Sequence, residues 1–184
     1  MGELQGRVAV ITGAGDGIGR AIARRYSAEG AKVLVAELDE RTGSEAAAGL
    51  CAAGGDSRFV RTDVGVRADV DAMIAAALEA WGRVDILVNS AWGGGSLGRV
   101  EGKTDEQMAC GMAVGFSGPF WAMQAVFPSM RAHGWGRIIN MCSLNGVNAH
   151  MGTLEYNCAK EALHTLTRTA AREWAQYGIV VNAI

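Results

Sequence analysis

Apolar and polar positions follow two rhythms along this chain. Short apolar runs, rich in Val and Ile, fall at Arg7 to Thr12 (RVAVIT), Lys32 to Glu37 (KVLVAE), Arg58 to Thr62 (RFVRT), Val84 to Val88 (VDILV), Arg137 to Cys142 (RIINMC) and Ile179 to Ala183 (IVVNA). Each is bounded by polar or glycine residues, the signature of a short buried strand. The stretches between them repeat apolar residues at helical spacing. Ile18, Ile22 and Tyr26 share one face, and Val70, Ile74, Ala77, Leu78 and Trp81 share another within Arg67 to Trp81. Glu40 to Ala53 predicts a further helix that ends at Gly54-Gly55. A long helical stretch from about Asp105 to His133 carries Pro119 and Pro128, so a kink or break is expected near each. The last helix holds Tyr156 and Lys160 and runs to about Tyr177.

Strands alternating with helices predict an α/β fold: a doubly wound, Rossmann-type parallel sheet with helices on both faces. No linker or internal repeat interrupts the run, so residues 1–184 are read as one domain. Ligands of such sheets bind beyond the carboxyl ends of the strands. Gly13, Glu37, Asp63, Asn89 and Ser143 all fall at those ends, so one crevice could hold them all.

Composition narrows the classes. Apolar residues make up 49% and charged residues 20%, which excludes a disordered chain. The 26 glycines in 184 residues are roughly twice the usual share and cluster at the ends of periodic segments, where tight turns are needed. A net charge of −2 without a basic cluster argues against nucleic acid as a partner. No apolar run approaches the roughly 20 residues of a membrane span, and the N-terminus does not read as a signal peptide. Cys51, Cys110, Cys142 and Cys158 show neither metal-ligand spacing nor a C-x-x-C pair, and are expected as buried, reduced thiols. The expectation is a soluble cytoplasmic domain that binds no metal.

The first strand runs straight into Gly13-Ala-Gly15-Asp16-Gly17-Ile18-Gly19 and then a helix. In that context glycines let the backbone approach a pyrophosphate, and the helix N-terminus offers free N–H groups to it. Glu37 closes the second strand, where a carboxylate can accept hydrogen bonds from ribose hydroxyls and repel a 2′-phosphate. No Arg or Lys stands in the glycine turn or directly after Glu37, which points to NAD rather than NADP. Further on, Ser143 is followed thirteen residues later by Tyr156 and one helical turn later by Lys160. A lysine one turn from a tyrosine faces the same side of the helix, and its ammonium assists proton loss from the phenol. A serine hydroxyl at a neighbouring strand end could bond the same substrate oxygen.

Together these motifs resemble the short-chain dehydrogenase/reductase family over essentially the whole chain. Thr12-Gly13, Gly17 and Gly19 resemble its dinucleotide turn, with Asp16 and Ile18 inside it; Asp63-Val64 matches its adenine-contacting position, and Asn89 with Ala91 its N-N-A-G signature. Ser143, Tyr156 and Lys160 match its catalytic triad in identity and spacing. The resemblance implies an oxidoreductase moving a hydride between NAD and a secondary alcohol or ketone. Tyr156 would be the general acid/base, Lys160 would hold the nicotinamide ribose, and Ser143 would orient the substrate oxygen. The segment between Ser143 and Tyr156, with Asn145 and His150 as candidate substrate contacts, leans toward a polyol or a cyclic diol. Homodimers or homotetramers are implied, with Phe120, Trp121, Met123 and Phe127 either as apolar material for the contact or facing the sheet.

Three positions depart from the family pattern. Gly115 stands where an Asn is usual, and Trp92 where the last glycine of N-N-A-G is usual. The sequence also stops at Ile184, before the family's substrate loop and last strand, and a fragment of a longer protein is the favoured explanation. These departures keep open an alternative, a catalytically impaired nucleotide-binding sensor or assembly subunit.

Overall fold

A computed structural model describes residues 2–93 and 95–184. Gly94, in the middle of the glycine loop after the fourth strand, lies outside the described residues. Six strands form one sheet: β1 (Val8–Thr12), β2 (Lys32–Glu37), β3 (Ser57–Arg61), β4 (Ile86–Asn89), β5 (Gly136–Asn140) and β6 (Ile179–Ala183). Their order is β3-β2-β1-β4-β5-β6, and every pairing is parallel. The order reverses between β1 and β4, which opens a crevice at the carboxyl ends of those two strands.

Side chains alternate across each strand, so one run of β-branched residues serves two cores. Ala9 and Ile11 of β1 pack with Val33, Val35 and Val88 under helices α1 (Gly17–Ala28) and α2 (Glu40–Ala52). Val10 faces the other way with Leu34, Leu87 and Ile138, under α3 (Arg67–Trp81), a helix α5 (Gly118–Ala132) and a long helix α7 (Leu154–Trp174). Both faces of the sheet are therefore covered by apolar helix surface, as the uninterrupted hydrophobic strands require.

Caps fix several boundaries. Asp39 accepts from the Thr42 N–H at 2.7 Å and starts α2, and Gly82, at φ 74°, ends α3. Thr104 and Gln107 form a reciprocal capping box that starts α4 (Asp105–Met112). The predicted long helix does break just before Pro119, as expected, but not at Pro128. Residues Ala113–Ser117 are wound as a wider π-helix between α4 and α5, a feature that often marks functional sites. Pro119 stands at the start of α5, where its missing N–H costs nothing, and Pro128 lies inside a helix that continues through it.

One further expectation is corrected, and one alternative is decided. Cys51, Cys110 and Cys158 are exposed and Cys142 is half-buried, because the first three sit on outward-facing helix positions rather than in the core. Met123, open in sequence between oligomer contact and sheet, is 1% exposed within the core, and Trp121 and Phe127 pack against the same core. Among the described residues no helix is long and apolar enough to cross a membrane.

Candidate active site

A crevice of about 920 Å³ lies over the carboxyl ends of β1 and β4. Gly13, Asp16, Gly17, Ile18, Gly19 and Glu37 form one end of it, and Tyr156 and Lys160 the other, with Asp63, Val64 and Ala91 between them. Eleven residues expected at the cofactor site from separate strands and helices thus share one wall system.

The glycine turn is shaped by close approach. A Cβ at Gly13 would lie 2.8 Å from the Ala91 Cα, and its φ of 66° is the left-handed region that only glycine enters freely. Thr12 secures that approach: its hydroxyl accepts from the N–H groups of Ser90 and Ala91 at 3.0 and 3.1 Å. Asp16 caps α1 by position only, making no side-chain hydrogen bond to the first turn. The free amides of that helix end therefore face the crevice, where an anionic group is favoured by both hydrogen bonding and the helix dipole. A dinucleotide's pyrophosphate fits this turn, which supplies donors and no side-chain bulk.

Glu37 leaves β2 and folds back on the turn. Its Oε2 accepts from the Gly15 N–H at 3.0 Å, and its Oε1 from the Leu38 N–H at 2.8 Å. A carboxylate offers about four acceptor sites, so room remains for ribose hydroxyls. The nearest downstream guanidinium, Arg41, is paired with Glu45 at 3.1 Å. Asp63 turns its Oδ1 to the Gly65 N–H at 2.9 Å, which shapes the bend after β3 that Val64 and Gly65 present to the crevice.

At the other end, Lys160 is 5% exposed and donates to the Met141 carbonyl at 2.6 Å. Desolvation pushes its ammonium below the usual lysine value, and the Cys142 thiol opposes that shift. The same burial raises the Cys142 thiol. The ammonium lies 5.5 Å from the Tyr156 ring centroid and 5.6 Å from that of Trp92. Trp92, 36% exposed, meets Tyr156 edge to face, with centroids 4.6 Å apart and planes at 78°.

Some expected residues are placed elsewhere. Ser143 caps α6 (Leu144–Asn148), its Oγ accepting from the Asn145 N–H at 3.1 Å, and it does not line the large crevice. Asn89 is 4% exposed and spends its amide on Asn140 Oδ1 at 2.8 Å, inside a chain that continues to Thr167 at 2.9 Å. Its side chain holds β4 to β5 and is not part of the crevice lining. Asn145 lines a smaller adjoining cavity of about 330 Å³, whereas the exposed His150 lines neither cavity. Sequence reading missed Lys103 and Ser96 altogether. Lys103 pairs with the fully buried Glu155 at 2.6 Å, and Ser96 gives both its N–H and its hydroxyl to the same carboxylate.

A strand-turn-helix cradle, an acidic β2 end and a tyrosine-lysine pair on one crevice are the features by which comparison with known proteins can be judged. The family profile described as short chain dehydrogenase matches residues 7–184. This chain belongs to the short-chain dehydrogenase family. It is 38% identical over 182 residues to the 2,5-dichloro-2,5-cyclohexadiene-1,4-diol dehydrogenase LinX of Sphingobium indicum, covering 99% of this chain and 72% of that protein. Among solved structures it superposes on an NAD+-bound xylitol dehydrogenase with a TM-score of 0.94 and 30% identity, covering 98% of this chain and 70% of the other. A metagenomic short-chain oxidoreductase in complex with NADP matches at a TM-score of 0.94 and 33% identity, over 98% and 81% of the two chains. A nicotinamide cofactor is thus common ground for the fold, and this short-chain dehydrogenase offers the cradle for one.

Proposed function

We propose that the protein is an NAD-dependent oxidoreductase that interconverts a secondary alcohol and a ketone, with Tyr156 as general acid/base. The observation that carries this reading is the single crevice with the glycine turn and Glu37 at one end and Tyr156 with Lys160 at the other. The cofactor, when bound, supplies the hydride acceptor or donor. The remaining work falls to side chains of the chain itself. Tyr156, whose hydroxyl has no protein partner among the described residues, accepts the proton of the substrate hydroxyl as the phenolate in oxidation and returns it as the phenol in reduction. Lys160 brings a desolvated positive charge within one helical turn of that phenol and holds it there through the Met141 carbonyl. Ser143 caps α6 through an oxygen lone pair and lines neither cavity, so no substrate contact is assigned to it.

Glu37 supports NAD over NADP, because a carboxylate pinned on the crevice wall repels a 2′-phosphate at the ribose it bonds. The names of the diol and xylitol dehydrogenases above support an alcohol as the reacting group. A homodimer or homotetramer fits the same reading, with the half-buried Phe116 and Phe120, stacked at 6.2 Å and packed into neither core, as apolar contact surface.

Fluorescence titration with NADH and NADPH tests the cofactor site directly. Saturable NADH binding with NADPH about tenfold or more weaker, a difference of about 1.4 kcal/mol, is expected. A folded chain that binds neither nucleotide, or binds NADPH as well as NADH, overturns the reading of the turn or of Glu37 respectively.

A further inference from the structure

The smaller cavity of about 330 Å³ adjoins the crevice, and Trp92 and Tyr156 line both. Its size is at the low end of small-molecule sites, roughly 300–1,000 Å³. Most of its polar wall is already committed. Ser96 is bonded to Glu155 and Lys103, and Lys103 closes the other oxygen of Glu155. The Thr153 hydroxyl is engaged by the His150 carbonyl and by Asn157 Oδ1. Among the described residues three lining side-chain groups remain without a protein partner, the Asn145 amide, the Tyr156 hydroxyl and the Trp92 indole N–H. The indole face and the exposed Leu97 supply the apolar remainder.

Trp92 is seated by the residue opposite it. A Cβ at the buried Gly115, in the π-helical turn before α5, would lie 2.7 Å from Trp92 Cζ3 and 2.7 Å from the Ala159 Cβ. The bare backbone at 115 is therefore the space into which the edge of the indole fits. On its other flank a Cβ at Gly95 would lie 3.3 Å from the indole Nε1. Tyr156 closes the third side. An indole fixed on three sides is a preformed wall between cofactor and substrate space.

We propose that Trp92 determines the specificity of this site and that the substrate is a compact alicyclic alcohol or its ketone. The carbon face of the ring packs on the face of the indole, the reacting oxygen meets Tyr156, and at most two further oxygens meet the Asn145 amide and the indole N–H at its edge. The proposal rests on the reading of Tyr156 as the proton-transfer group. Oxidation breaks the carbinol C–H and O–H bonds and forms C=O, the hydride leaving to NAD+ and the proton to Tyr156. An open-chain polyol, with a hydroxyl on every carbon, would press unpaired oxygens against the indole face and Leu97, which disfavours it.

The test compares kcat/KM with NAD+ for trans-cyclohexane-1,2-diol and for xylitol, after NADH titration, in the wild type, Trp92→Ala and Trp92→Phe. The wild type is expected to prefer the cyclic diol. Trp92→Ala should reduce that preference about tenfold or more, and Trp92→Phe should retain most of it. The ratio separates a platform from mere bracing of Tyr156, which would slow both substrates alike. Gly115→Ala, which pushes the indole from its seat without removing it, should erode the same preference and serves if Trp92→Ala does not fold. A wild-type preference for xylitol, or an equal loss on both substrates in Trp92→Ala, overturns the proposal. NADH binding with turnover of neither probe overturns the substrate class but leaves the cofactor reading intact, whereas absence of NADH binding overturns the reading on which it rests.

Discussion

The Glu155 carboxylate and the Lys103 ammonium meet at 2.6 Å with both side chains withdrawn from water, one residue before Tyr156. With Ser96 bonded to the same carboxylate, the pair ties the loop after β4 to the start of α7. Gly111 of α4 makes the approach possible, since a Cβ there would lie 2.7 Å from the Glu155 Cβ.

Removing one partner leaves the other charge buried alone. Lys103→Met is therefore expected to cost about 3–5 kcal/mol in urea unfolding. A cost below about 1 kcal/mol would show that water or another donor replaces the ammonium.

Acid should act on the same carboxylate. Burial pushes Glu155 up, but the bonds from Lys103 and Ser96 outweigh it and lower its pKa to about 2. A folded-state value below the unfolded one, about 4.3, means that the stabilisation is complete above the unfolded value and is lost as pH falls through about 2. Urea midpoints followed from pH 5 downward should decline across that window, about 4.3 to 2, and Glu155→Gln should flatten the decline. An unchanged slope in the variant would assign acid sensitivity to other carboxylates.

Tyr156→Phe keeps the ring that Trp92 packs against and removes only the hydroxyl. Turnover should fall by about 10²–10⁴-fold, the usual share of a positioned acid/base, while NADH affinity stays near wild type. Turnover that survives the substitution would assign the proton transfer to another group.

Glu37→Ala should narrow the preference for NADH over NADPH by about tenfold, measured as the ratio of the two dissociation constants. Because the Gly15 N–H loses its acceptor, both affinities weaken somewhat, and the ratio is the informative quantity. A ratio unchanged from wild type would remove Glu37 from cofactor choice.

Gly115→Ala should destabilise the chain by about 1–3 kcal/mol through overpacking against Trp92 and Ala159. In a Trp92→Ala background the cost should shrink by about 0.5 kcal/mol or more, since the two residues share one space. Additive costs would mean that Ala159 alone opposes the new methyl. The same contact means that an Asn at 115, the residue usual in the family, cannot enter without moving Trp92.

The periodicity of the chain determined the α/β alternation, and with it the parallel sheet and the position of ligands beyond its strand ends, because a strand or helix that buries one face must show that face in its own spacing. The glycine turn, Glu37 and the Tyr156–Lys160 pair were legible for the same local reason: each works through neighbours within one turn or one strand end. What each residue faces across the fold was decided only in three dimensions. Asn89 sits in a family signature yet spends its amide on Asn140, since a buried amide must bond whichever polar group the neighbouring strand presents. Lys103 and Glu155 carry no signal in their own segments, and their charge pair exists because the loop before α4 meets the start of α7. Gly115 and Trp92 read in sequence as two unrelated departures. Close packing joins them, because the volume that one side chain gives up is the volume the other fills.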